Sequence, residues 1–489
     1  MRDVELLPIA PDLIESTRAI GYSFDTAIAD IIDNSISAKA KKISIDINAY
    51  DDPYVAILDD GCGMDLEELK NAMRYGSTNP NADRNPNDLG RFGLGLKTAS
   101  LSQCRKLTVV SKKDRVINAC SWDLDYVIKT RAWKLIVFDK EEIGNDFPFI
   151  KSLLEQRSGT IVIWRNFDFL KESSITLEDS LNEKTNDIIY HLSLVFHRYL
   201  NNEDIKNRIS IIVNNQKLTP LDPFLTTHTG TQVLPEEPLE ILGEKILVKP
   251  YILPHFSKLS QEDKYMVGGE EGFKKNQGFY IYRNRRLIQW GTWFKMSRQE
   301  ELYKLARVIV DIPNTLDSIW KIDVKKSSAE LPNVIKVNLC NIIKNIVDKS
   351  EKVFTYRGRS VSSKSIMSIW KKVDNRGTFS YQINREHPLV KFYEESLNRD
   401  EHKKFEKFIN LIQDSFPYDA VYVDVSKGNI KKEEYDIKEI KQNMREYIEA
   451  GLKTNLKLDD LLEALKIIEP FNRYKDARED IIKEYTDVK

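Results

Sequence analysis

Histidine and cysteine are scarce in this chain, six of one and four of the other among 489 residues. Cys62, Cys104, Cys120 and Cys340 follow neither disulfide nor metal-ligand spacing, which excludes a disulfide-stapled scaffold and a thiolate metal centre and points to a reducing, cytoplasmic setting. No apolar run approaches the ~18 residues of a membrane span, so no membrane partner is expected. The opening Met1-Arg-Asp-Val-Glu5 lacks the charged-then-apolar order of a secretory signal. Net charge is only −1, so the chain has no overall attraction to nucleic acid, and any such binding has to come from a local patch. Repeats and low-complexity tracts are absent. What is present, 41% apolar and 30% charged residues, describes a globular protein of roughly two to four domains.

Three short stretches carry chemistry. The first is Asp30-Ile-Ile-Asp-Asn34. Ser23 is placed to cap a helix from Phe24 to about Ser35, with Ala27, Ile28, Ile31 and Ile32 on its buried side. Asp30 and Asn34, four apart, share one helical face, while Asp33 is expected to face away from them in a structural role. An asparagine offers Mg²⁺ a neutral oxygen, and a carboxylate beside it can orient or deprotonate an attacking water. The second stretch, Asp59-Asp-Gly-Cys-Gly63, follows the apolar strand Tyr54–Leu58; an aspartate in such a turn can accept a hydrogen bond from an amino-purine. The third, Gly90-Arg-Phe-Gly-Leu-Gly95, precedes a helical pattern over Leu94–Leu101 and offers backbone N–H groups to phosphate. Between them, Asp65 and Glu68 predict a capping box for a helix to about Tyr75. Residues 76–90 form a run of turn formers that suits a lid. Strands are expected at Ile43–Ile47, Lys106–Val110, Leu135–Phe138 and Thr160–Trp164, giving a helix-covered, mostly antiparallel sheet.

The three stretches in this order resemble the GHKL ATPases (gyrase, the ninety-kilodalton heat-shock chaperone, histidine kinases and MutL), and within them the MutL- and MORC-like branch. The resemblance covers Ser16 to Trp164 and, more loosely, Arg208 to Pro332. It implies ATP and Mg²⁺ as ligands, with Asn34 holding the metal and Asp30 as general base where many relatives carry glutamate. Ser37 stands where relatives often have aspartate. By the same resemblance Asp59, rather than Asp60, takes the adenine amino group; Gly61 and Gly63 bring the backbone close to the base, and Met64 lines its pocket. Gly90, Gly93 and Gly95 serve as lid hinge and phosphate loop. Lys97 is a candidate phosphate contact, with a solvated helix lysine as the other reading, and Thr160 closes the site behind adenine.

The implied fold class is α+β. Residues 1–22 would be an N-terminal strap exchanged between protomers. Residues 23–204 would form a Bergerat-type α/β sandwich with its lid at 76–95, and residues 205–332 an α/β transducer domain. The remainder, 333–489, reads as a mainly helical region without assigned role. In the transducer, Arg208–Leu218 reads as a hairpin closed by Asn214-Asn215, Gln277–Ile288 as a second hairpin and Ala306–Ile312 as a buried strand. A transducer lysine would reach back to the γ-phosphate; after Asp323-Val324 this is Lys326, with Lys325 as the substitute. Residues 350–377 carry seven basic residues (Lys352, Arg357, Arg359, Lys364, Lys371, Lys372, Arg376), interleaved with Phe354, Tyr356 and Trp370, and suit a DNA contact or a solvated face.

The function implied is a slowly hydrolysing, ATP-dependent homodimeric clamp acting on DNA in bacterial repair or defence against foreign DNA, with partner proteins encoded nearby. Two alternatives stand beside it: a chaperone-like ATPase with a protein client, and a nucleotide-sensing scaffold with little hydrolysis. A histidine kinase is disfavoured because no phosphoacceptor helix precedes the site. An endonuclease is disfavoured because the tail has no cluster of metal-ligating residues, and the isolated His387 reads as structural.

Overall fold

The computed structural model describes residues 8–19, 21–76, 95–144, 146–168, 176–201, 207–255, 258–269, 272–299, 303–317, 335–340, 366–375, 378–418, 436–453 and 456–486, with a few isolated positions besides. Two compact units are present, Met1–Arg357 and Gly358–Lys489.

The first unit is built on two sheets. Its N-terminal part opens with α1 (Ala10–Arg18) and α2 (Phe24–Ser37), followed by β1 (Lys42–Asn48), β2 (Tyr54–Asp59), α3 (Leu66–Met73) and α4 (Gly95–Gln103). Then come β3 (Lys106–Lys113), β4 (Val116–Asp123), α5 (Leu124–Thr130), β5 (Ile136–Phe138), α6 (Ile150–Glu155), β6 (Gly159–Arg165), α7 (Leu177–Val195) and α8 (His197–Leu200). The strands align in the order β5-β4-β3-β6-β2-β1, each pair antiparallel. Period-two alternation divides their side chains between two cores. Val55, Ile57, Val109, Val162 and Trp164 pack with α2, α4 and α7, while Ala56, Leu58, Val110, Ile161 and Ile163 pack with α6.

Local signals account for several boundaries. Asp65 accepts from the Glu68 N–H at 2.9 Å and Glu68 accepts from the Asp65 N–H at 2.9 Å, the expected capping box. Ser23 is the N-cap residue of α2 but departs from expectation: its hydroxyl meets Thr26 Oγ1 at 2.7 Å and caps no backbone N–H. The helix itself runs two residues beyond Ser35. The leader carries α1, which lies in the core of its own domain through Ala10 and Ile14. Arg18, 3% exposed, donates from Nε to the Leu101 carbonyl at 2.6 Å and pairs with Asp168 at 2.5 Å.

The hairpin after Arg208 forms as expected, β7 (Ser210–Val213) and β8 (Gln216–Lys217), with positive φ at Asn214 and Asn215. Its partner is the first sheet, however: β7 pairs parallel with β1, so that sheet continues beyond residue 204. The second sheet begins with β9 (Gln232–Val233) and continues through β10 (Glu237–Ile241), β11 (Glu244–Ile252), β12 (Gly278–Arg283), β13 (Arg286–Thr292) and β14 (Ala306–Ile312). Its order is β10-β11-β14-β12-β13, with β12 and β14 parallel. Leu331, Ile335, Leu339 and Ile343 bury themselves in this sheet's core, so the chain after residue 332 still serves the second sheet.

In the second unit, β15 (Trp370–Asn375) and β16 (Thr378–Ile383) form an antiparallel hairpin that the sequence reading did not foresee. Five helices follow among the described residues: Pro388–Glu395, Arg399–Asp414, Ile437–Lys453, Leu458–Ala464 and Lys475–Thr486. His387 is fully buried next to the first of these.

Candidate functional site

The sheet's β2 delivers Asp59 to its end, opposite Thr160 on β6. Asp59 is 6% exposed, and its two carboxylate oxygens accept from the Gly61 N–H at 2.9 Å and from Ser35 Oγ at 2.9 Å. Burial pushes its carboxyl up to about 6, against the lowering effect of these hydrogen bonds. Ser35, two positions before Ser37 on α2, is a site residue that the sequence reading missed; it faces inward at 2% exposure while Ser37 is exposed. Asp60 turns the other way, accepting from the Lys41 and Lys42 N–H groups at 2.7 and 2.8 Å.

The turn after Asp59 is close-packed. A Cβ on Gly61 would lie 2.8 Å from Ala38 Cβ, and one on Gly63, where φ is +66°, would lie 2.0 Å from the Lys112 carbonyl oxygen. Met64 is half-buried and donates its N–H to Ser111 Oγ at 2.8 Å; Ser111 Oγ in turn lies 2.9 Å from Thr160 Oγ1. Asp59, Ser35, Gly61, Ser111 and Thr160 thus form one hydrogen-bonded floor.

Helix α2 brings Asp30 and Asn34 to the same region in different environments. Asn34 is exposed in the last turn. Asp30 is 1% exposed and accepts from the Tyr22 hydroxyl at 3.0 Å. Gly95 opens α4 so close to this carboxylate that a Cβ there would sit 3.7 Å from Asp30 Oδ2. Lys97, on the same helix, is 1% exposed, so it is no solvated lysine. Its Nζ donates to the Ala72 carbonyl at 2.9 Å, and burial lowers its ammonium to about 8. Gly90, Gly93, Lys325 and Lys326 lie outside the described residues, as do positions 77–94 of the expected lid.

Asp33 corrects the sequence reading. It does not face away from Asp30: both reach the guanidinium of Arg286, the first residue of β13. Arg286 Nε lies 2.8 Å from Asp33 Oδ2, and Nη2 lies 3.5 Å from Asp30 Oδ1. All three side chains are nearly inaccessible, at 4%, 0% and 1%. Arg286 carried no signal of its own in the sequence, because the contact depends on how the second sheet packs against α2.

The donor set suits a magnesium nucleotide. Mg²⁺ keeps several waters and takes phosphate oxygens, and the exposed amide oxygen of Asn34 is the ligand that the protein would add. Among the described residues no group of three or more His, Cys, Asp or Glu gathers as a metal cage. The Asp59 carboxylate, already holding Ser35 and Gly61, is suited to accept from an exocyclic amine.

Comparison with known proteins finds relatives over the stretch that carries Asp30, Asn34, Asp59 and Thr160. Residues 22–160 match the family model described as histidine kinase-, DNA gyrase B- and HSP90-like ATPase. The ATPase morc-1 of Caenorhabditis elegans is 34% identical over 95 residues, 19% of this chain and 11% of that protein. The DNA mismatch repair protein MutL of a Thermoanaerobacter species is 28% identical over 89 residues, 18% of this chain and 14% of its own. That of Haemophilus influenzae is 33% identical over 98 residues, 19% of this chain and 15% of its own. The chain therefore spans well under two thirds of the length of these curated relatives.

Proposed function

From the membership of this chain, through residues 22–160, in the GHKL ATPases related to MutL and MORC proteins, we infer an ATP-operated conformational switch that hydrolyses ATP to ADP and phosphate. The observation that carries this reading is the meeting of Asp30 with the first residue of α4, 3.7 Å from a Cβ on Gly95. Lying beside the start of the helix that follows the glycine motif, the Asp30 carboxylate would take the proton from a water attacking the γ-phosphorus as the bond to the β–γ bridging oxygen breaks. Phosphoryl transfer asks mainly for positioning and charge stabilisation. Asn34 would hold Mg²⁺, which supplies charge neutralisation on the phosphates. Asp59, supported by Ser35, Gly61 and Thr160, would select adenine. Gly90, Gly93, Gly95 and Lys97 would serve the phosphates, and Lys326 or Lys325 would sense the γ-phosphate.

The wider role is proposed from the family resemblance. We take the chain to be a slowly turning over clamp whose protomers pair when ATP is bound, acting on DNA in repair or in defence against foreign DNA together with proteins encoded nearby. Asp30 is one methylene shorter than glutamate and already engaged by Tyr22 and Arg286, which also favours a scaffold that binds ATP and hydrolyses little of it.

Substituting Asp30→Ala separates these readings. ATP affinity by calorimetry should hold, while phosphate release should fall by about 10²-fold or more, the usual contribution of a general base. Equal phosphate release from variant and parent would assign water activation to another residue. Turnover near zero in the parent, together with ATP-dependent pairing in ultracentrifugation, would select the scaffold. Turnover raised by unfolded polypeptide and not by DNA would select a protein client.

A further inference from the structure

Two carboxylates one helical turn apart, Asp30 and Asp33, are buried on α2, and the cation they share comes from the other sheet. That arrangement is costly by default: two like charges in a poorly solvated site repel each other, and removing one partner of a buried ion pair leaves uncompensated charge. Arg286 Nε at 2.8 Å from Asp33 and Nη2 at 3.5 Å from Asp30 supply the compensation. Resting on the general-base reading of Asp30, we propose that Arg286 is its positioning residue, holding the carboxylate ionised and aimed, so that hydrolysis depends on how the β12–β13 hairpin seats against α7 and α8.

The hairpin is held there by several contacts. Tyr199 donates its hydroxyl to the Asn284 carbonyl at 2.5 Å, and Arg285 donates to the Arg198 carbonyl at 2.8 Å. Arg198 pairs with Asp311 on β14 at 2.5 Å, and His197 Nε2 lies 2.7 Å from the Tyr282 hydroxyl. The Arg286 guanidinium also stands 5.9 Å from the centre of the Phe196 ring, between α7 and α8. A shift of the hairpin of one or two ångströms would draw Arg286 Nη2 away from Asp30 Oδ1, from which it already stands 3.5 Å, while leaving the floor under Asp59 intact. The second sheet thereby gains control over the chemical step through a side chain on α2.

Other charged groups face this cluster. Asp25 on α2 pairs with His191 on α7 at 3.1 Å, and burial lowers His191 to about 4, so it is neutral at pH 7. Tyr22 meets Asp30 from the segment before α2, Tyr199 and Arg198 approach from α8, Arg285 flanks Arg286, and Lys97 lies on the packed α4. Tyr22 and Gly95 reach Asp30 from within the first sheet's own layer of helices, whereas Arg286 reaches it from the second sheet.

The test uses the full chain, with ATP affinity from calorimetry and phosphate release from pH 5 to 9. Arg286→Gln should lower kcat at pH 7 by about tenfold, part of a base's contribution, with ATP affinity changed by less than about threefold. Its acid limb should move about one pH unit higher, the lower end of what a neighbouring opposite charge supplies. Arg286→Lys, which keeps the charge, should leave the limb where the parent has it and recover part of kcat. A folded Arg286→Gln protein with the parent's kcat and acid limb overturns the proposal, as does loss of ATP affinity in step with kcat. Where the Gln variant does not fold, Arg286→Lys and Tyr199→Phe decide: lowered kcat with ATP affinity intact supports the coupling, and parental kcat in both overturns it. Asp30→Ala keeps the two readings apart. If it retains turnover, the general base lies elsewhere; if it loses turnover while Arg286→Gln behaves as the parent, only the coupling falls.

Discussion

Asp59 is poised between stability and recognition. Its carboxyl is pushed from 3.8 to about 6 by burial, so the folded state binds its proton more tightly than the unfolded chain does. The sign follows: this residue's contribution to stability is full below about pH 4 and lost as pH rises through about 6, leaving a buried charge that costs up to about 3 kcal/mol at neutral pH. Asp59→Asn removes that cost. The amide oxygen can still accept from the Gly61 N–H, and the Ser35 hydroxyl can turn to accept from the new amide. We expect this variant to melt a few degrees higher at pH 7.5, with the gain fading by pH 5, and to lose adenine selectivity; scanning calorimetry at the two pH values and ATP against GTP affinity check both. Asn34 behaves differently. Its side chain is exposed in the last turn of α2, so Asn34→Ala should leave the melting temperature within about a degree and abolish Mg²⁺-dependent ATP binding; undiminished ATP–Mg²⁺ affinity in calorimetry would remove it from the metal site.

At the scale of elements, the sequence was most legible where one segment decides its own form. The Asp65–Glu68 box, the Asn214-Asn215 turn and the alternating strand β1 all depend on neighbours within a few residues. The placement of Asp59 at a strand end and of Asp30 and Asn34 on one helix followed for the same reason. Ser35, Arg286 and the capture of β7 by β1 were not legible, because each depends on which distant segments meet: residues 24 positions apart for Ser35 and Asp59, and the second sheet and helix α2 for Arg286 and Asp33. The turn from β2 to α3 shows how tightly such meetings bind. Gly63 takes φ +66° with the Lys112 carbonyl oxygen filling the space of a Cβ, 2.0 Å away. Gly63→Ala must therefore displace either the turn or β3, and should destabilise the first unit by about 2–4 kcal/mol while weakening ATP binding. Denaturant unfolding with and without ATP measures this, and an unchanged midpoint would mean the turn relaxes freely.

Over the whole molecule, charge is balanced, at −1 for 489 residues, so a DNA contact requires concentration of basic groups. The segment 350–377 provides one. Lys371 and Lys372 stand exposed on β15, next to Trp370, and Arg357 and Arg359 precede them in the sequence outside the described residues. If these four line the clamp, replacing all of them with Glu should weaken duplex binding by an order of magnitude or more. The logarithm of the parent's affinity should fall with the logarithm of salt concentration at a slope of about −0.9 per phosphate neutralised, and the variant's slope should be shallower. ATP binding should persist, since none of the four belongs to the floor under Asp59 or to α2. Anisotropy on labelled duplex across a salt series, with and without a non-hydrolysable ATP analogue, separates the outcomes. A variant that matches the parent at every salt concentration would place the DNA contact on another surface. A parent that binds no DNA under any condition would turn the switch toward a protein client or a scaffold, with the basic strand serving as a solvated face.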